Sequence, residues 1–182
     1  MSPFLSIVTR HMPSRPGLFA ECCRSLRDQA DQDFEHVVLV DHVGRGVQWA
    51  NGQFARHRYA VNGDYVLILD DDDALTTPHA VEALRAGVAD SQADLIVFRA
   101  DHANLGILPD AAVWSEKPLY GHIGSCDFIT RREVWQRHVD AFAKPVGGDY
   151  SFLSELWRCG YHVHWLDCLL ARVQRISRGA PE

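Results

Sequence analysis

The apolar positions of this chain fall into short unbroken runs, separated by stretches with helical spacing. Phe4 to Thr9 is the first run and reads as a strand. Gly17 to Gln29 follows, with Leu18, Phe19, Cys22, Cys23 and Leu26 spaced for one face of a helix. Glu35 to Asp41 is a second strand, and Val47 to Val61 a helix with an Asn51-Gly52 interruption. Asn62-Gly63-Asp64 is a strong turn signal. The sharpest polarity switch comes next, where Tyr65-Val66-Leu67-Ile68-Leu69 runs straight into Asp70-Asp71-Asp72-Asp73. A run of that kind suits a strand buried on both faces. Thr77-Pro78 then reads as the cap and first position of a helix over Pro78 to Ala89, and Asp94 to Ala100 as a fourth strand.

This β-α-β-α-β-α-β alternation predicts an α/β domain: a mostly parallel, Rossmann-like central sheet flanked by helices. After Ala100 the alternation fails. Asp101 to Gly121 is rich in Gly, Pro and Asn and predicts loops or a small hairpin. Ile123 to Thr130 reads as a strand, Arg131 to Ala141 as a helix, Asp149 to Cys159 as a helix stopped by Gly160, and Tyr161 to Asp167 as a last strand. The tail from Arg172 to Arg178 is basic. No linker or internal repeat divides the 182 residues, so one domain over 1–182 is expected, with 1–100 and 101–182 as its two halves.

Composition narrows the function classes. The net charge of −6 argues against a general nucleic-acid or anionic-membrane binder. Arg131, Arg132, Arg137, Arg172, Arg175 and Arg178 could still form one basic face, so a nucleic-acid partner stays as a weak possibility. No apolar run approaches the roughly 20 residues of a membrane span, and residues 1–10 lack the marks of a signal peptide; a cytoplasmic location is expected. Five cysteines without a C-x-x-C pair read as reduced thiols, with no zinc site.

The candidate chemistry gathers at the acidic run. Ligands of open α/β sheets bind beyond the carboxyl ends of the strands, which is where the four aspartates fall. Four adjacent carboxylates repel one another, and a divalent cation would relieve that repulsion. In an Asp-x-Asp spacing, two of them could hold a metal that neutralises a nucleotide's diphosphate and makes it a better leaving group. Asp41 also ends a strand; it is either an ordinary turn aspartate or an acceptor for a base or ribose. Asp149 follows two glycines, and reads as a helix cap or as a general base. Arg56 and Arg58 read as a solvated helix face from which one could meet a phosphate. Trp114, Trp135, Trp157 and Trp165 are expected in the core.

The order of these features resembles the inverting family 2 glycosyltransferases of the GT-A fold. Leu5-Ser6-Ile7-Val8-Thr9-Arg10 is similar to that family's first strand, and Val38-Leu39-Val40-Asp41 to its second. Gly63-Asp64-Tyr65 through Leu69-Asp70-Asp71-Asp72-Asp73-Ala74-Leu75, with Pro78, is the most specific piece. Phe128 to Val134 and Gly148-Asp149 are similar to its acceptor-side segments. The family's Ala-Arg-Asn segment has two candidates here, Ala50-Asn51 and Ala55-Arg56. A Glu before the base is replaced by Gly148, and Val173 to Ser177 contains no histidine to serve as a further metal ligand.

The resemblance implies an enzyme that moves a sugar from a nucleotide-diphosphate sugar, a UDP-sugar in the first instance, to an acceptor hydroxyl with inversion. It implies Thr9, Arg10, Asp41, Arg56, Asp70 and Asp71 as nucleotide-sugar contacts, Asp70 and Asp72 as ligands of Mn²⁺ or Mg²⁺, and Asp149 as the catalytic base. The acceptor is not implied. Two other readings stay open: an inactive GT-A module that binds nucleotide-sugars, and a haloacid-dehalogenase-type phosphatase with Asp70-x-Asp72 as its first motif.

Overall fold

In the computed structural model, which describes residues 2–144 and 146–174, the strands are β1 (Leu5–His11), β2 (Phe34–Val40), β3 (Tyr65–Ile68), β4 (Asp73–Leu75), β5 (Leu95–Asp101), β6 (Ile107–Leu108), β7 (Phe128–Arg131) and β8 (Val163–Val173). The helices are α1 (Pro16–Arg27), α2 (Val47–Arg56), α3 (Ala80–Ser91), α4 (Arg132–His138) and α5 (Gly148–Arg158). One mixed sheet has the order β2-β1-β3-β7-β5-β8-β4, with β6 paired to β5. Five of the eight strands, β1, β2, β3, β5 and β8, run the same way.

The alternation after β3 conceals a break in the parallel order. β5 does not lie beside β3, because β7 enters between them, antiparallel to both. The short β4 is also unexpected. Asp73 to Leu75 joins the far end of β8, so the last aspartate of the run is drawn into the sheet and α3 begins only at Ala80, with His79 as its cap. That corrects the helix start expected at Thr77-Pro78. β8 is 11 residues long, well past Asp167, because it pairs β5 on one side and β4 on the other. Cys126 and Asp127, expected in a strand from Ile123, lie in a 3-10 turn before β7. The small hairpin expected in 101–121 is present as β6 against β5.

The core has two halves, one on each face of the sheet. Leu5, Ile7, Tyr65, Leu67, Leu69, Ile96 and Phe98 face α1 and α3. Val8, Val66, Ile68, Leu95 and Val97 face the other way, toward Phe54 of α2, Trp135 of α4 and Phe152 of α5. The strict alternation along β3 is the period of two that a strand imposes, and both faces are apolar because both are covered. None of residues 65–69 is more than 3% exposed. Trp135 is in the core as expected, whereas Trp157 is 40% exposed on α5.

Candidate active site

A cleft of about 480 Å³ opens beyond the carboxyl ends of β1 and β3. Arg10, Asp70, Asp72 and Asn51 line it, together with Tyr120, Gly147 and Asp149. Backbone pairing continues past the regular strands, with Leu69 N–H donating to Val8 O (3.1 Å) and Asp71 N–H to Arg10 O (3.2 Å). On the other side, Gln174 N–H donates to Asp72 O at 2.6 Å. The acidic run is therefore held extended by neighbours on both sides.

That extension sorts the four carboxylates. Asp70 and Asp72 reach the cleft with side chains 15% and 18% exposed, while Asp71 and Asp73 are buried. Asp71 is closed in by Arg15 Nη1 (2.9 Å), the Met12 N–H (2.7 Å) and His11 Nδ1 (3.1 Å). Asp73 accepts the Asp70 N–H at 3.1 Å, and burial with the charges of Asp70 and Asp72 pushes its carboxyl well above the usual range. Burial thus works against one of the run's four charges.

Two arginines offset others. Arg10 forms a two-pronged ion pair with Asp70, with Nε donating to Oδ1 at 2.7 Å and Nη2 to Oδ2. It also donates to Asn51 Oδ1 and lies over the Phe54 ring at 4.9 Å. Arg15 bridges Asp71 and Asp72, 3.1 Å from the latter. The repulsion that suggested a cation is thus relieved in part by side chains of the chain itself. Asp70, expected as a metal ligand, gives both oxygens to Arg10. Asp72 keeps a carboxylate at the cleft whose pKa burial and the charges of Asp70 and Asp71 push up to about 6, against the opposing pull of Arg15. A divalent cation at Asp72 would offset that cost, so the residues present fit a metal held by this carboxylate.

The other expected site residues divide. Asp41 lines the cleft, but its carboxylate accepts the N–H groups of Val43 (3.0 Å), Gly44 (3.0 Å) and Arg45 (2.7 Å) and so shapes its own turn. Thr9 does not reach the cleft. It is fully buried, donates to Leu69 O at 2.7 Å and lies 2.8 Å from His36 Nε2. Its position in β1 turns it to the opposite side of the strand from Arg10. Arg56 is exposed at the end of α2 and is not among the residues lining the cleft. Of the two candidate segments in α2, Ala50-Asn51 lies at the cleft: Asn51 is 5% exposed and bridges Arg10 to Lys144 O, 3.1 Å from its Nδ2. Arg175 and Arg178 lie outside the described residues. Arg131 pairs with Asp94, Arg132 with Asp64 and Asn62 O, Arg137 with Tyr161 and Arg172 with Glu21, so these four cations are each tied to a different partner.

Asp149 stands in the first turn of α5, behind Gly147 as the helix cap. Its side chain is therefore not the cap. Gly148 has a steric reason to be glycine, since a Cβ there would lie 2.5 Å from Phe142 O and 2.9 Å from Asn51 Nδ2. Asp149 Oδ1 accepts the Tyr150 N–H at 2.7 Å. Burial, with a further push from Asp127, raises its pKa despite that bond and the nearby Arg10. Asp127 is fully buried, with Oδ1 2.7 Å from His102 Nε2 and 3.5 Å from Cys126 Sγ. The donor atoms of His102, Cys126 and Asp127 lie within 4.8 Å of one another.

No family model and no curated protein matches the chain. Solved structures do. S. aureus TarS, a GT-A family 2-like glycosyltransferase, superposes with a TM-score of 0.69 at 13% identity, over 94% of this chain and 36% of TarS. The fold is GT-A-like. TarS 1-349 in complex with UDP-GlcNAc gives a TM-score of 0.65 at 14% identity, over 96% of this chain and 60% of that one. A197 from STIV gives 0.58 at 17% identity, over 92% of this chain and 83% of A197. The chain thus spans between about a third and three-fifths of the TarS chains it matches.

This fold also bears on the phosphatase reading. That chemistry needs Asp70 as a free nucleophile, and here both of its oxygens are engaged by Arg10.

Among the described residues no helix is long and apolar enough to cross a membrane.

Arg15 and His11 are the site residues to which the sequence reading assigned no role, and Asn51 was one of two alternatives in α2. The signal for the two arginines was present: Arg10 and Arg15 both follow the first strand, within reach of a carboxylate cluster that needs countercharge.

Proposed function

We propose that the chain is an inverting glycosyltransferase acting on a nucleotide-diphosphate sugar, with Asp149 as the base. The observation that supports this most is the shared cleft: the acidic end of β3, with its arginines, and a half-buried carboxylate of raised pKa line one cavity in a GT-A-like fold. TarS binds UDP-GlcNAc, which makes UDP-GlcNAc the first donor to test.

In this reading the nucleoside end lies along the turn that Asp41 shapes, and the diphosphate lies beside Arg10. Asp70 orients the Arg10 guanidinium, which the Phe54 ring and Asn51 hold from the other sides. Asp72 would hold Mn²⁺ or Mg²⁺, whose positive charge would stabilise the departing diphosphate. Asp71 is enclosed and acts through Arg15, keeping that cation beside Asp72. Asp149 takes the proton from the acceptor hydroxyl as that oxygen attacks the anomeric carbon from the side opposite the diphosphate. One displacement by one base gives inversion. Burial suits Asp149 to the task, because a carboxylate of raised pKa is a stronger base.

Asp149→Asn removes the base and preserves the shape. It should keep UDP-GlcNAc binding and lower transfer by about 10²–10⁴-fold. Wild-type transfer rates in this variant would overturn the assignment of the base. An inactive module would bind donor and show no Mn²⁺-dependent hydrolysis of it, so that assay separates the two readings. The anomeric configuration of the product, read by NMR, tests inversion.

A further inference from the structure

The segment 101–124 has no assigned role in the chemistry above, yet it delivers an aromatic ring to the cleft. Tyr120 lines the cleft and is 56% exposed. Its position is nonetheless fixed by two contacts. Gly147, with φ at +64°, abuts the edge of the ring so closely that a Cβ there would fall 2.6 Å from Tyr120 Cε2. Tyr150 meets the ring edge-on, with centroids 5.8 Å apart and planes at 90°. Gly147 and Tyr150 flank the Gly148-Asp149 pair, so the ring is seated on the same turn that carries the proposed base.

A ring fixed at its edge, more than half exposed and lining a cleft, can serve as a stacking platform. Pyranose rings present a face of C–H groups to such surfaces, while their hydroxyls reach outward to polar partners. The surroundings supply these: Ser125 and Asp149 line the same cleft. Charge argues in the same direction. Among the described residues lining this end, from Tyr120 to Ser125 and from Val146 to Asp149, there is no Lys or Arg, whereas both cleft arginines stand at the acidic run. A phosphate-bearing acceptor would meet the Asp149 carboxylate here, while Arg10, the nearest cleft cation, is already paired with Asp70.

We infer that Tyr120, seated on Gly147 and Tyr150, forms the acceptor subsite and that the acceptor is a neutral saccharide whose ring stacks on it. This rests on the glycosyltransferase reading for its role, and on Tyr120 alone for its binding. The test uses the full chain and a panel of methyl pyranosides (gluco, galacto and N-acetylglucosaminyl), observed by saturation-transfer NMR with UDP and Mn²⁺ present. At least one glycoside should receive saturation on its ring protons. Tyr120→Phe should retain that binding, and Tyr120→Ala should weaken it by 10-fold or more. Thermal shift with UDP checks that the variant is folded. Absence of any glycoside signal in the wild type, or equal binding by Tyr120→Ala, would overturn the subsite. Binding of a phosphorylated or nucleic-acid probe that Tyr120→Ala abolishes would overturn the neutral-saccharide assignment. Donor hydrolysis is scored separately: if glycosides bind through Tyr120 and no donor is hydrolysed, the subsite stands and the transferase reading falls.

Discussion

On one side of the cleft, Arg10 and Arg15 are paired with aspartates that end a central strand, and backbone bonds from Val8, Arg10 and Gln174 fix the run in place. On the other side, Tyr120, Gly147 and Asp149 come from a long connection and the first turn of a helix, held by ring contacts and by two glycines that permit close approach. The first side is charged, paired and backed by the sheet. The second is partly apolar and carries one half-buried carboxylate. In the proposed reading the first is the donor side and the second the acceptor side: a donor diphosphate is common to many nucleotide-sugars, so its wall can be built into the sheet. An acceptor differs from enzyme to enzyme, and loops accommodate such differences without disturbing the core.

The strongest way to break the donor side is to move the strand beneath it. Gly63 opens the turn into β3, and its N–H donates to Ser6 Oγ at 2.8 Å. A Cβ at this position would fall 2.5 Å from Leu5 C, and closer still to Ser6 N, both of them backbone. Neither can yield without shifting β1. Gly63→Ala should therefore destabilise the fold by about 3 kcal/mol or more, seen as a large drop in Tm. Gly52→Ala in α2 is the contrast. Nothing lies within 4 Å of its added Cβ, and relief of glycine's conformational entropy should stabilise by about 0.5–1 kcal/mol.

The next largest effect concerns the pairing itself. Arg15 is 7% exposed and Asp71 3%. Arg15→Met keeps most of the volume and leaves Asp71 buried with only the Met12 N–H and His11. Loss of one partner from a buried pair costs about 3 kcal/mol. A urea midpoint unchanged from wild type would mean that Asp71 does not depend on Arg15.

The donor side was the more legible of the two, and the reasons are physical. The five apolar residues before Asp70 form a doubly buried strand, and that pattern has few other solutions. Alternation of burial along an extended chain also placed Asp70 and Asp72 outward and Asp71 and Asp73 inward, as the Asp-x-Asp spacing required. What the pattern could not show is pairing between distant segments. Thr9 was expected at the nucleoside, with Arg10, from the family resemblance, yet adjacent residues in a strand point to opposite faces. The insertion of β7 between β3 and β5 leaves no trace in the order of apolar runs. Tyr120 was not singled out at all: 101–121 has no periodicity, and its one functional ring is recognised only by its seat on Gly147.

Asp72 gives a smaller effect of opposite sign. Its folded pKa, about 6, is raised by burial first and then by the charge of Asp70. The native state therefore holds a proton more tightly than the unfolded chain, and stability falls as pH rises from about 4 to about 6. With a chelator present at pH 7, Asp72→Asn removes this cost and should raise stability by about 1–2 kcal/mol, discounted for solvent screening. The same variant should lose the Mn²⁺ enhancement of donor binding. A gain in Tm together with a loss of metal response would separate charge repair from metal binding, and a fall in Tm would show that the carboxylate is structural.

The smallest effect tests whether the two sides communicate. Burial raises the Asp149 pKa, Asp127 raises it further, and Arg10 on the donor side lowers it. As a base, Asp149 works only when ionised, so transfer should fall as pH drops through its raised pKa, earlier than for an ordinary carboxylate. Asp127→Asn removes one upward push, and the acid limb of kcat/KM should move to lower pH. Arg10→Gln removes the downward pull, and the limb should move to higher pH, with donor binding weakened as well. Opposite shifts in the two variants would place Asp149 between two fields, one from each half of the chain. If neither limb moves, the titrating group is not Asp149, and the acceptor side must find its base elsewhere.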